Sequence, residues 1–215
     1  FYEVINFPFI AKKSDESIKV DNPLDSNRRY LRTNITNSLI DNLIYNEKRQ
    51  SDSIKLFEIS DIYSLVNNEI KKTRKLSIIA SGRVGNNHED FSKKINIEYM
   101  TNLFSKFFPR ENFDFKLLNR DSLNSKIKNE IIISELDIDD ISDEVLKYEE
   151  IVKPPKNFIK YIPTSDLPCS KRDLSFSIRD ITDCRSLEAS ILNFKDKLLK
   201  EVFVFDYYFN EKKNE

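Results

Sequence analysis

Leu76-Ser77-Ile78-Ile79-Ala80 reads as a strand whose unbroken apolar character calls for cover on both faces. Upstream, Ile54-Lys55-Leu56-Phe57-Glu58-Ile59 alternates and reads as a second strand. Downstream, Ser81 to Asp90 is a polar loop, after which Ile97, Met100, Leu103, Phe104, Phe107 and Phe108 recur at helical spacing. A helix should therefore cover the sheet there. Phe113 to Leu118 and Ile131 to Leu136 read as further strands. The opening Phe1 to Ile10 is aromatic and β-branched, hence extended, with Pro8 confining it to an edge or a bend. Ile18-Lys19-Val20 resumes a short strand, and Asp21 to Asn27 supplies turn chemistry. Ile35, Leu39 and Leu43, with Ile40 and Ile44, then place a helix running to about Tyr45, for which Thr33 or Asn34 is the candidate cap. A strand-heavy run with amphipathic helices points to an α+β fold.

The chain has 215 residues, 39% hydrophobic and 33% charged, and a formal net charge of -1. That suits one large or two small domains. Near-cancellation of charge leaves no global field to draw the molecule onto nucleic acid or an anionic membrane, so any such affinity must be local. No apolar run approaches the roughly 20 residues of a membrane-spanning helix, so a soluble, cytoplasmic chain with no membrane partner is expected. The opening without Met or a signal-peptide pattern suggests an excerpt of a longer chain. With one His, two Cys (Cys169 and Cys184) and two Gly (Gly82 and Gly85), the sequence offers little for zinc sites, catalytic triads or phosphate-cradling loops.

Between Glu135 and Glu150 eight acids face Lys147 alone, whereas Lys153 to Arg172 has five basic residues against Asp166. This shift, with Pro154-Pro155 stiffening the junction, places a domain boundary near residue 152. Beyond it, Leu174, Phe176 and Ile178 alternate as a strand, Leu187, Ile191, Phe194 and Leu198 make a helix stripe after a Ser186 cap, and Val202 to Phe209 reads as a second strand.

Asn22-Pro23-Leu24, then Leu31-Arg32-Thr33, Leu39-Ile40, Asn46 and Arg49, and finally Leu56-Phe57-Glu58-Ile59 form an ordered series. It resembles the β chain of bacterial phenylalanyl-tRNA synthetase, with Asp25 and Ser60 replacing that family's usual Ser and Gly. Ile97 to Phe108, Glu135-Leu136-Asp137-Ile138, Lys171-Arg172-Asp173-Leu174 and Phe205-Asp206-Tyr207-Tyr208 continue the likeness along nearly the whole chain. Between Leu118 and Glu135 the family normally has a longer stretch with His-Pro and Gly-rich turns. The resemblance implies a class II synthetase-like antiparallel sheet with helices over residues 1-152, inactive in catalysis. A truncated ferredoxin-like anticodon-binding domain over 153-215 would follow. It implies a holoenzyme that attaches phenylalanine to its tRNA with ATP and Mg2+, neither expected to be bound by this segment. The implied partners are the α chain, in a heterotetramer of two α and two β chains, and tRNA(Phe). The rivals are a stand-alone synthetase-like regulatory or interaction protein without ligase activity and an independent ligase that binds ATP itself.

A working class II site needs arginines that grip ATP phosphates by bidentate hydrogen bonds. They are not recognisable in Ser60-Asp61-Ile62-Tyr63 or at Gly82-Arg83, so no catalytic and no metal-binding residue is expected. Glu58 reads as a buried structural acid and His88 as a surface loop residue. Arg28, Arg29 and Arg32 read either as a solvated or intrachain-paired cluster or as a surface for RNA or a partner. Asp137 to Glu150 reads as a solvated acidic face. The second domain carries the sharper case: among Lys153, Lys156, Lys160, Lys171, Arg172 and Arg179, the candidates for RNA contact are Lys160, Lys171, Arg172 and Arg179, by exchange of condensed counterions for protein cations. Arg172 has the alternative of pairing with Asp173 or a helix end. Phe158 and Tyr161 are read as packing residues before base-stacking ones, and Cys169 and Cys184 as packing residues.

Overall fold

Two strands of fourteen residues dominate the computed structural model: β4 (Ser53–Val66) and β5 (Glu69–Gly82), paired antiparallel from Ser53↔Gly82 to Val66↔Glu69. The structure describes residues 1–11, 13, 16–85, 87–108, 113–121, 123–140, 161, 163, 170–180, 182–194 and 196–208. Asn67 and Asn68 close the hairpin with φ of 52° and 65°, the two left-handed positions of a two-residue turn that matches strand twist. Both strands are much longer than their apolar stretches. The polar half is tied by cross-strand charge, with Asp61 accepting from Arg74 Nε at 2.8 Å and pairing with Lys72 at 2.8 Å. Ser81 and Gly82 belong to β5, so the polar loop starts two residues later than the sequence suggests.

Around the hairpin lie β1 (Tyr2–Glu3), parallel to β4, then β7 (Ile131–Asp137) and β6 (Lys116–Leu118), giving the order β1-β4-β5-β7-β6. Apart from β1 every pairing is antiparallel, and β1 is an edge, as Pro8 requires of that segment. A separate two-stranded ribbon joins β2 (Phe9–Ile10) to β3 (Tyr30–Leu31). Ile18 to Val20 contributes only a single bridge, Lys19 to Tyr30. Of Phe113 to Leu118 just the last three residues pair. Phe113 and Phe115 instead turn inward, their rings 4.8 and 5.2 Å from Phe104, because burying two aromatic rings outweighs two ladder positions at an edge.

Successive residues of a strand face opposite sides, and β5 uses both. Ile79 packs with Leu39 and Leu43 of α1 (Thr36–Glu47) and with Leu56 and Ile131. Ile78 and Ala80 pack with Met100 of α2 (Ile97–Phe107) and with Ile132. The sheet thus separates two cores, and the double burial expected of Leu76 to Ala80 follows. Asn34 is the effective cap of α1, its side chain accepting from Asn37 N–H at 3.1 Å, and Asn96 caps α2 in the same way through Tyr99 N–H at 2.8 Å.

The chain divides into Phe1–Val145 and Leu146–Glu215. The boundary expected at residue 152 lies outside the described residues. In the second unit, α3 (Asp183–Leu192) starts three residues before the expected Ser186 cap. Asp180 accepts from Thr182 N–H just ahead of it, and Ser186 sits inside the helix, donating to the Asp183 carbonyl. The strands expected at Leu174 to Ile178 and from Val202 onward do not form among the described residues: neither segment shows a ladder with another strand, without which alternation alone does not make one, and Val204 N–H donates instead to Glu188 Oε1 of α3 at 3.0 Å. Phe194 and Leu198 lie beyond the helix and are exposed.

Candidate functional site

Glu58 is the acid that the strand pattern carries into the sheet. Both it and Arg32, just after β3, are 1% exposed. Arg32 Nη2 lies 2.5 Å from Glu58 Oε1, and Nη1 reaches Ser38 Oγ on α1 at 3.3 Å. Asn6 Nδ2 donates to Glu58 Oε2 at 2.8 Å, and Asn42 Nδ2 of α1 donates to Asn6 Oδ1 at 3.0 Å. Both carboxylate oxygens are therefore engaged by donors of this chain, as a structural acid requires. Of the alternatives open for Arg28, Arg29 and Arg32, Arg32 takes intrachain pairing and leaves the surface, because a charge sunk into the core needs an opposite one beside it. Arg28 stays near the surface, 3.3 Å from Asp25 and over the Phe7 ring, and Arg29 is exposed.

A second buried pair closes the other end of α1. Glu47, 6% exposed, receives Arg120 Nη2 at 2.7 Å and the Ser125 hydroxyl at 2.5 Å. Arg120 also donates to Ser81 Oγ at 3.0 Å and to the Asn129 carbonyl. Nothing in the sequence pattern marks this pair, since Arg120 sits in a polar link and Glu47 at a helix end. The link from Asn119 to Glu130 nevertheless joins two strands that pair directly and pins itself to α1 through that one guanidinium.

Arg83 is turned onto its own loop, donating to the Phe91 carbonyl with its guanidinium 4.0 Å from the Phe91 ring centroid. Gly82 before it has φ of 95°, and a Cβ there would lie 2.1 Å from the Asp52 carbonyl oxygen. Asp61 is held down to about 2, first by the hydrogen bond from Arg74 and then by that from Lys72. His88 is half-buried in the turn after Asn87.

Of the residues expected to meet RNA, Lys171, Arg172 and Arg179 are exposed, and Lys160 lies outside the described residues, as do Lys153 and Lys156. Arg172 Nη1 donates to the Lys171 carbonyl at 2.8 Å, and no ion pair holds these three cations among the described residues. The alternative of an Arg172–Asp173 pair is not taken up. Tyr161 is 79% exposed, which overturns its reading as a packing residue; Phe158 and Cys169 lie outside the described residues, and Cys184 is half-buried with a free thiol. Most of the acidic run after Asp137 also lies outside them.

The model of the phenylalanyl tRNA synthetase beta chain CLM domain matches residues 1–133. The chain belongs to the phenylalanyl-tRNA synthetase β-chain family. Among curated members, the chloroplastic phenylalanine–tRNA ligase β subunit of Porphyra purpurea is 26% identical over 242 residues, covering 97% of this chain and 33% of its own length. The β subunit of Legionella pneumophila (strain Lens) is 24% identical, with 97% and 30% covered. This chain spans about a third of the length of these relatives. Among solved structures, the pyrrolysyl-tRNA synthetase PylSc of Desulfitobacterium hafniense superposes with a TM-score of 0.41 at 13% identity, covering 64% of this chain and 60% of that one. Membership of the β-chain family accords with the ordered motifs from Asn22 to Ile59. The α+β fold, with its largely antiparallel sheet, is as the sequence suggests. Among the described residues no helix is long and apolar enough to cross a membrane.

Proposed function

We propose that this chain is a non-catalytic segment of the β subunit of a cytoplasmic phenylalanine–tRNA ligase. Its first domain, residues 1-152, serves as a scaffold for the α chain, and its second, residues 153-215, belongs to an anticodon-binding module that offers Lys171 and Arg172 to tRNA(Phe). The observation that carries the reading is the Arg32–Glu58 pair: the acid buried deepest in the sheet among the described residues is consumed by an internal guanidinium and by Asn6. The other arginines beside the sheet are engaged in the same way, Arg74 by Asp61, Arg120 by Glu47 and Arg83 by the Phe91 carbonyl. These residues do not fit a triphosphate, which needs free guanidinium forks. ATP and Mg2+ are therefore assigned to the partner α chain, in a complex of two α and two β chains, and no step of the reaction is routed through this segment.

The test uses the assembled complex. Replacing Lys171 and Arg172 together by Ala should weaken tRNA(Phe) binding several-fold and flatten its salt dependence, because each phosphate contact on a single strand adds about 0.7 to the logarithmic slope. Phenylalanine-dependent pyrophosphate exchange should stay unchanged. Equal tRNA affinity and equal salt slope in the variant would refute the RNA assignment. Saturable binding of labelled ATP to the full-length β chain without its partner would refute the non-catalytic one.

A further inference from the structure

Among the described residues, α2 covers only part of its side of the sheet. A groove of about 540 Å³ runs between β4 and β5 on one wall and the outer turns of α2 on the other. Phe57, Ile59, Leu76 and Ile78 form its floor, and Leu103 and Phe104 are prominent in its helical wall. Lys55 lines it as well. Its Nζ donates to the Val84 carbonyl and lies 5.7 Å from the Tyr99 ring centroid. One of the three ammonium protons is so engaged, and the others are left in a half-buried, largely apolar setting.

We propose that this groove binds an amphipathic organic anion, a compact aromatic or branched apolar body seated on Ile59, Leu76 and Leu103 with a single carboxylate at Lys55. Three observations converge. The walls are apolar and pre-formed, Lys55 is the one charged side chain among the described lining residues, and it stands at the first of the three β4 positions, 55, 57 and 59, that line the groove. Burial pushes the Lys55 ammonium down from its usual range against a lesser opposing pull from Asp90, so an arriving carboxylate would relieve a desolvated charge. Asp90 does not already satisfy it, being held 3.2 Å from Lys93 and bonded by Asn87. The same lining selects against a free amino acid, whose α-ammonium would meet no carboxylate in the groove. This inference stands apart from the β-subunit reading and fails or holds without it.

The test titrates the full-length chain with 3-phenylpropionate, following ligand saturation-transfer signals and calorimetry. Saturable binding with a dissociation constant on the order of 1 mM is expected for a ligand with about a dozen non-hydrogen atoms. Lys55→Met should weaken it by about 10-fold or more, as loss of a charged hydrogen bond does, and Lys55→Arg should restore most of that loss. Leu103→Trp, which fills the groove from the helix without touching Lys55, should abolish binding. The alcohol 3-phenylpropanol should bind more weakly and ignore Lys55→Met, and L-phenylalanine should bind more weakly than the acid. No saturable signal, acid and alcohol binding equally, or L-phenylalanine binding as tightly as the acid would each overturn the proposal.

Discussion

Removing the Arg32 guanidinium should be the most damaging single change in the first unit. Arg32→Met keeps most of the side-chain stem but strands the Glu58 carboxylate, which is 1% exposed and retains only Asn6 as donor. Breaking a buried pair by deleting one partner costs about 3–5 kcal/mol, and Glu58→Leu, which strands Arg32, should cost as much. At roughly 2–4 °C per kcal/mol for a chain of this size, the apparent Tm should fall by about 6–20 °C. The double replacement Arg32→Met with Glu58→Leu should recover at least half of the loss, since two apolar side chains of suitable volume need no partner. Equilibrium denaturation of the four proteins, read by near-ultraviolet circular dichroism, closes the cycle. Single variants costing under about 1 kcal/mol, or a double variant equal to the sum of the singles, would refute the claim that the pair is buried and mutually dependent.

Arg120→Met should cost about 3 kcal/mol by the same logic, because Glu47 would keep only the Ser125 hydroxyl; hydrogen exchange should show α1 amides near Glu47 losing protection first. Gly82→Ala should destabilise by about 2 kcal/mol or more, since its Cβ would fall 2.1 Å from the Asp52 carbonyl oxygen at a φ of 95°; a variant as stable as the parent in urea would contradict that close approach. The Asp61 carboxyl, held at about 2 instead of 3.8, contributes stability that is fully present above about pH 4 and is lost as the pH falls through 2. Asp61→Asn should thus lower stability by under about 1 kcal/mol at pH 7, given its exposed partners. The deficit should shrink in high salt and vanish near pH 2, which acid and salt titrations of both proteins would check.

Apolar periodicity located both long helices and all the central strands, because the sheet buries alternate residues and each helix buries one stripe. It missed the outer half of the β4–β5 hairpin. There the ladder is held by Asp61, Lys72 and Arg74 and turned by two asparagines, so the residues that build it resemble those of a solvated link. The Arg32–Glu58 pair was half legible: the acid stood out within an apolar strand, but its partner is 26 residues away in sequence and was grouped with the neighbouring arginines. Glu47–Arg120 was not legible at all, since a separation of 73 residues leaves no local signal. In the second unit, alternation at Leu174 to Ile178 is real, yet a strand is a property of two segments and no paired neighbour occurs among the described residues.

One strand walling off two cores carries a hazard, since a slide of a single residue would trade one interior for the other, and isoleucines at both 78 and 79 would hardly resist it. The serines do. Ser77 and Ser81, 0% and 1% exposed, share the face of Ile79, and Ser81 there both donates to the Glu130 carbonyl at 2.7 Å and accepts from Arg120. Shifted by one place, these hydroxyls would be pressed among Met100, Phe113 and Phe115 with nothing to bond, at about 1–3 kcal/mol each. Two small alcohols thus act as locating pins, and alignment in the greasiest stretch of the molecule is dictated by its least greasy members.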